Sequence, residues 1–114
     1  MAAPNRRRGE IVANFDGEDR ILCLTLGALA ELEGAFAADD LTALVERFGS
    51  GRLSANDIAR ILGAGLRGGG SDISDEEVSR MRSLDGAAGF ARTVAQLLEA
   101  TFGAPQGKDG SANP

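Results

Sequence analysis

The twelve residues Glu46 to Asp57 come nearest to a chemical site in this chain. They are spaced like the loop of an EF-hand, with Gly51 at loop position six, Leu53 at eight, Ser54 at nine and the acid Asp57 at twelve. Calcium also needs oxygen donors early in the loop and a bidentate carboxylate at its end. Here Phe48 stands third, Ser50 fifth, and the terminal acid is the shorter Asp. The same residues read as a glycine turn followed by a capped helix, so a degenerate EF-hand-like regulator is the weakest functional reading.

Other chemistry-bearing residues resolve in the same way. Gly65 to Gly70 is glycine-rich, but no Gly-Lys-Ser/Thr follows it as a phosphate loop requires, so it reads as a flexible helix-to-helix linker. Asp75, Glu76 and Glu77 are consecutive. In a first helical turn they point in different directions, and their charge suits the positive end of the helix dipole. Cys23 is the one cysteine and there are no histidines. The chain therefore lacks an internal disulfide, a cysteine metal cluster and the usual general base. Cys23 reads as a small packed residue on a strand. The expectation is a protein that is not an enzyme and uses no metal or cofactor.

With 114 residues and a formal charge of −5, the chain has room for one modest core and an electrostatic balance opposed to nucleic acid. Its one basic run, Arg6-Arg7-Arg8, reads as a solvated tail. No apolar run approaches the ~20 residues of a membrane span, and no apolar segment follows the basic start as in a signal peptide. A cytoplasmic location is expected.

The elements follow from period and punctuation. Residues 1–9 read as a disordered N-terminus, 10–103 as a single domain and 104–114 as a disordered tail. Glu10 to Phe15 reads as a strand with Ile11, Ala13 and Phe15 on one face. Asp16 to Asp19 reads as the turn and Arg20 to Thr25 as the second strand. Thr25 is a predicted N-cap for a helix ending near Ala37 or Ala38, with Leu26, Leu29, Leu32 and Phe36 at three- and four-residue steps. Asp39 or Asp40 caps a second helix, Leu41 to Phe48, stopped by Gly49-Ser50-Gly51. Ser54 caps a third, running to about Gly65 and burying Ile58, Ile61 and Leu62, with Gly68 to Gly70 as a flexible break. Ser74 caps a fourth, through about Leu84, with Val78 and Met81 inward. A fifth, about Ala87 to Phe102, carries Phe90, Ala91, Val94, Leu97, Leu98 and Thr101. The fold class expected is α+β, mainly α: an N-terminal β-hairpin followed by about five short helices around one small core.

A two-stranded hairpin is marginal alone, so self-association through its edge is a further expectation. Phe36, Leu41, Leu44, Val45 and Phe48 form the candidate partner-binding face. On this reading Leu29→Asp unfolds the domain, whereas Leu44→Asp abolishes partner binding and preserves the fold.

Four stretches occur in a telling order: Gly9-Glu10, then Arg20 to Thr25, then Leu26-Gly27-Ala28-Leu29-Ala30-Glu31-Leu32-Glu33, then Ile61 to Gly70. Together they resemble the small tail protein of gene transfer agents and related prophages of alphaproteobacteria, a family described both as tail tube protein and as tail assembly chaperone. The resemblance spans about residues 9 to 103 and brings no catalytic residues with it. It implies a role in tail morphogenesis, with the tape-measure protein and the tail tube protein as partners. The alternative it leaves is a structural tube component retained in the particle.

Overall fold

The computed structural model describes residues 9–50 and 52–103. The expectations for residues 1–8, for the tail 104–114 and for Gly51 lie outside the described residues. In chain order the elements are β1 (Ile11–Phe15), β2 (Glu18–Leu22), α1 (Leu26–Ala35), α2 (Leu41–Gly49), α3 (Ala55–Gly68), α4 (Asp75–Val78) and α5 (Gly86–Phe102). This is the hairpin-plus-five-helices architecture expected, around one apolar cluster.

The hairpin is tighter than its sequence suggested. Asp16 and Gly17 both have positive φ, 56° and 82°, which makes a two-residue turn whose twist matches that of the strands. β1 and β2 are antiparallel, with Phe15 opposite Glu18 and Ile11 opposite Leu22. Because the turn uses two residues rather than four, β2 starts two positions earlier than expected and ends at Leu22. Cys23 is therefore past the strand, and its N–H donates to the Gly65 carbonyl of α3 at 2.9 Å.

α3 is the central element, buried from Ile61 through Leu66. Its start is set by a capping box: the Ser54 hydroxyl accepts from Asp57 N–H, and the Asp57 carboxylate accepts from Ser54 N–H. It runs to Gly68, three residues beyond the expected end. The glycines there are neither a flexible linker nor a loose break. A side chain at Gly68 would overlap the Cys23 carbonyl, and one at Gly69 the Ile21 carbonyl. Their bareness lets the chain leaving β2 lie directly on the helix. Gly70, at φ 107°, closes α3 with bonds from Ser71 N–H to Leu66 O and from Gly70 N–H to Arg67 O, the paired pattern of a left-handed C-cap.

Around this axis the apolar faces close. α1 contributes Ala28, Leu29 and Leu32, α4 contributes Val78, and α5 contributes Val94 and Leu97. Each fully buried Leu adds roughly 1.5–3 kcal/mol of favourable transfer free energy. Phe15 of β1 stacks on Phe90 of α5 with ring centroids 5.4 Å apart. Leu26, expected on the buried stripe, is 80% exposed, since it directly follows the Thr25 cap and precedes the first inward turn. Ala91 of α5 also faces solvent.

α4 is one turn rather than a helix reaching Leu84. Beyond Met81 the chain is drawn onto the hairpin instead: Ser83 pairs with Phe15, and Asp16 N–H donates to the Arg82 carbonyl at 2.9 Å. The extended backbone this requires ends the helix and leaves Leu84 exposed.

Candidate functional site

The expected partner-binding face is divided by the structure. Asp40, rather than Asp39, caps α2: the Asp40 Oδ1 accepts from Ala43 N–H at 2.9 Å. From that start, Leu44 and Phe48 point inward and are buried, while Leu41 and Val45 remain 40% exposed. Successive helical residues are 100° apart, so Leu44 and Val45 fall on opposite flanks of one apolar arc. Leu44 is fully buried, so the expectation that Leu44→Asp preserves the fold is corrected. Phe36, at the C-cap of α1, is half-buried and meets Phe48 edge-on at 5.5 Å. The outward remnant of the face is Leu41, Val45 and the rim of Phe36.

One cation ties this region together. The Arg47 guanidinium lies 5.3 Å from the Phe36 ring centroid and 3.3 Å from Asp57 Oδ2. The Asp57 carboxyl is held below its usual range, first by the Ser54 backbone N–H it accepts and then by the nearby Arg47 charge, with burial opposing. This carboxylate, the last position of the EF-hand-like loop, is therefore engaged in capping α3. Among the described residues no group of His, Cys, Asp and Glu is clustered as a metal site.

A second junction was hidden from sequence reading. Arg67 of α3 donates through Nη1 to the Ile73 carbonyl at 2.8 Å and through Nη2 to Glu31 of α1, with Asp75 Oδ1 of α4 at 3.1 Å. Partial burial works against the guanidinium charge, but the paired Glu31 and Asp75 carboxylates outweigh it and raise its pKa above its ordinary value. Gly63 makes room for the Asp75 carboxylate, which any side chain there would strike. The acids of α4 do point apart: Asp75 to Arg67, Glu76 to Arg80 at 3.5 Å, and Glu77 back to Ser74 N–H at 2.9 Å.

The junction positions α4 so that an apolar groove of about 280 Å³ opens between the N-terminal half of α3, α4 and the start of α5. Ile58, Ala59, Leu62, Val78, Met81 and Phe90 are among its walls. Ile58 and Phe90 stand half-exposed there. Sequence periodicity placed Ile58, Val78, Met81 and Phe90 on inward faces. It gave no sign that three elements meet without closing.

The groove and the outward remnant of the α2 face are both mainly apolar. The family model described as phage tail tube protein, GTA-gp10, matches residues 8–104. The chain belongs to this family. It is thus a member of a family of gene transfer agent and phage tail proteins, the one its sequence resembles, over nearly the same span. Within this tail-protein family chain, the Leu26 to Glu33 run forms most of α1 and the Ile61 to Gly70 run forms the buried half of α3 and its C-cap. No curated protein and no solved structure matches the chain with significance.

Proposed function

We propose that the protein is a tail assembly chaperone. It is a non-catalytic binding protein that engages the tape-measure protein, the tail tube protein or both, in the cytoplasm, while a gene transfer agent or phage-like tail is built. The observation that carries this reading is the state of the hairpin. A tube built on a sheet running from ring to ring needs strand edges open to neighbours. Here the outer side of β2 is engaged by α3, through Cys23 N–H on Gly65 O and Ile21 O over Gly69. The outer side of β1 is paired at its turn end by Arg82 and Ser83. A helical domain with its short hairpin held by its own chain suits transient cover of a partner's apolar surface better than permanent sheet extension.

The family description favours a second reading, a structural tube component that stays in the particle. Quantitative mass spectrometry of purified particles separates the two. The chaperone reading expects the protein to be absent or far below tube stoichiometry in finished tails and to be recovered with tape-measure or tube protein from producing cells. A full ring complement in the particle would overturn it. Self-association through the remaining β1 edge is read by sedimentation of the isolated protein.

A further inference from the structure

We propose that residues 71–85 form a strap that swings away from α3 as one body, hinged at Gly70 and Gly86 and latched by Arg67. This goes beyond the tail-assembly reading and is independent of which tail role the protein plays. The two bounding glycines lie in the left-handed region, at φ 107° and 63°, and a Cβ at either would meet nothing within 4 Å. They are bare for conformation rather than for packing, unlike Gly63, Gly68 and Gly69, which are pressed against neighbouring atoms. Glycine passes between backbone regions at little cost, and small residues at element ends serve as hinges. Between them the chain is tied mostly to itself. Ser74 and Glu77 form a capping box. Val78 N–H donates to Ser74 O and Met81 N–H to Val78 O, each at 3.0 Å, and the Ser79 hydroxyl donates to Glu76 O at 2.6 Å. These bonds travel with the strap and do not resist its opening.

Little apolar contact resists it either. From Ser71 to Asp85 only Val78 and Met81 are buried. They do not seal the seam, because the groove of about 280 Å³ stays open beside them, between the strap, α3 and α5. α3, by contrast, is buried continuously from Ile61 to Leu66. Local stability follows buried apolar contact, so the strap opens at less cost than the whole domain unfolds. Its remaining ties are polar and sit at its two ends. At the first, Ser71 N–H donates to Leu66 O at 2.9 Å, and the Arg67 guanidinium donates to Ile73 O at 2.8 Å and pairs with Asp75 at 3.1 Å. At the second are the reciprocal Asp16–Arg82 bonds and the pairing of Phe15 with Ser83. Arg67 is also held by Glu31 of α1, so the latch stays behind when the strap leaves. Opening releases both ends together and uncovers Leu62 and Phe90, which share the groove wall with Val78 and Met81.

Native-state hydrogen exchange of the full chain, followed by NMR at a series of low urea concentrations, tests the strap. The bonds of the Ser71, Asp16 and Arg82 amides cross between the strap and the rest of the fold. These three amides are expected to share one opening that costs less, and depends less on urea, than the opening seen by the Leu62 and Leu66 amides of α3. Arg67→Gln cuts the latch and is expected to speed exchange at Asp16 and Arg82 about ten-fold, although it alters neither of their bonds. Gly63→Ala places a methyl where the Asp75 carboxylate lies and speeds the same amides. Because alanine is the better helix former, it leaves those of α3 no faster. Exchange of the Asp16 and Arg82 amides at the α3 rate would sink the proposal, as would an Arg67→Gln variant that leaves them unchanged. Equal acceleration of the strap and α3 amides in both variants would also overturn it, since both residues would then act on global stability alone.

Discussion

Asp16 and Arg82 lie 66 residues apart and exchange two hydrogen bonds: Asp16 N–H donates to Arg82 O at 2.9 Å, and Arg82 N–H donates to Asp16 Oδ1 at 3.0 Å. This clasp holds the segment after α4 against the hairpin and so fixes one wall of the groove. Asp16 also sits at φ 56°, where a short polar side chain is tolerated and an alanine is strained. Asp16→Ala is therefore expected to lower stability by about 1–3 kcal/mol, combining a lost hydrogen bond with left-handed strain. Asp16→Asn, which keeps an acceptor oxygen and the same backbone tolerance, is expected to lose less than about 1 kcal/mol. Urea denaturation of the two variants checks the order.

Leu44 and Val45 are neighbours in sequence with opposite fates. Leu44 is fully buried in the core and Val45 is 40% exposed. Leu44→Ala is expected to cost about 2–5 kcal/mol by transfer and cavity terms, and Leu44→Asp to unfold the domain, as Leu29→Asp does, because each buries an unpaired charge. Val45→Asp is expected to change stability by less than about 1 kcal/mol. Thermal melts followed by circular dichroism distinguish these outcomes. A folded Leu44→Asp variant would contradict the placement of α2.

Local signals were legible in the sequence, and tertiary ones were not. Thr25, Ser54 and Ser74 all act as N-caps, because a cap bond joins residues three apart and needs nothing else from the fold. The apolar arc of α2 was legible too, but periodicity alone does not fix its centre, so Leu41 and Val45 could not be told from Leu44 and Phe48. The end of α4 was illegible because the distant hairpin captures the chain beyond it, Asp16 binding Arg82 and Phe15 pairing with Ser83. Gly68 and Gly69 resemble a flexible stretch until the Cys23 and Ile21 carbonyls are placed against them, and Gly63 reads as any helical residue until the Asp75 carboxylate is placed against it. The groove depends on three such long-range placements at once.

α1 and α3 end in the same hydrogen-bond pattern but on different residues. In α1, Ala38 N–H donates to Glu33 O at 2.9 Å and Ala37 N–H to Gly34 O at 3.3 Å. The residue in the left-handed conformation is Ala37, at φ 54°, where α3 uses Gly70. A left-handed non-glycine residue costs roughly 1–2 kcal/mol, partly offset by its smaller loss of chain entropy relative to glycine. Ala37→Gly is accordingly expected to stabilise the protein by about 0.5–1 kcal/mol, and Gly70→Ala to destabilise it by a similar amount. Denaturant midpoints with unchanged slopes check both.

Asp57 and Glu77 make stability depend on acid in a predictable direction. Glu77 lies below its ordinary value because it accepts first the Ser74 backbone N–H and then the Ser74 hydroxyl. Asp57 is lowered in the same way at Ser54, with Arg47 adding to it. In both the folded pKa is below the unfolded one, so the unfolded chain takes up protons first. The stabilisation is fully present above the ordinary values of 4.5 for Glu77 and 3.8 for Asp57, and is lost as pH falls through the folded values. The melting temperature is expected to be flat with respect to these groups near neutrality and to drop below about pH 4.5. Asp57→Asn and Glu77→Gln are expected to lower it at pH 7 and to make the acid drop shallower. Melting curves from pH 7 to 3 on the three proteins test this, and parallel drops in all three would assign the acid sensitivity to other carboxylates.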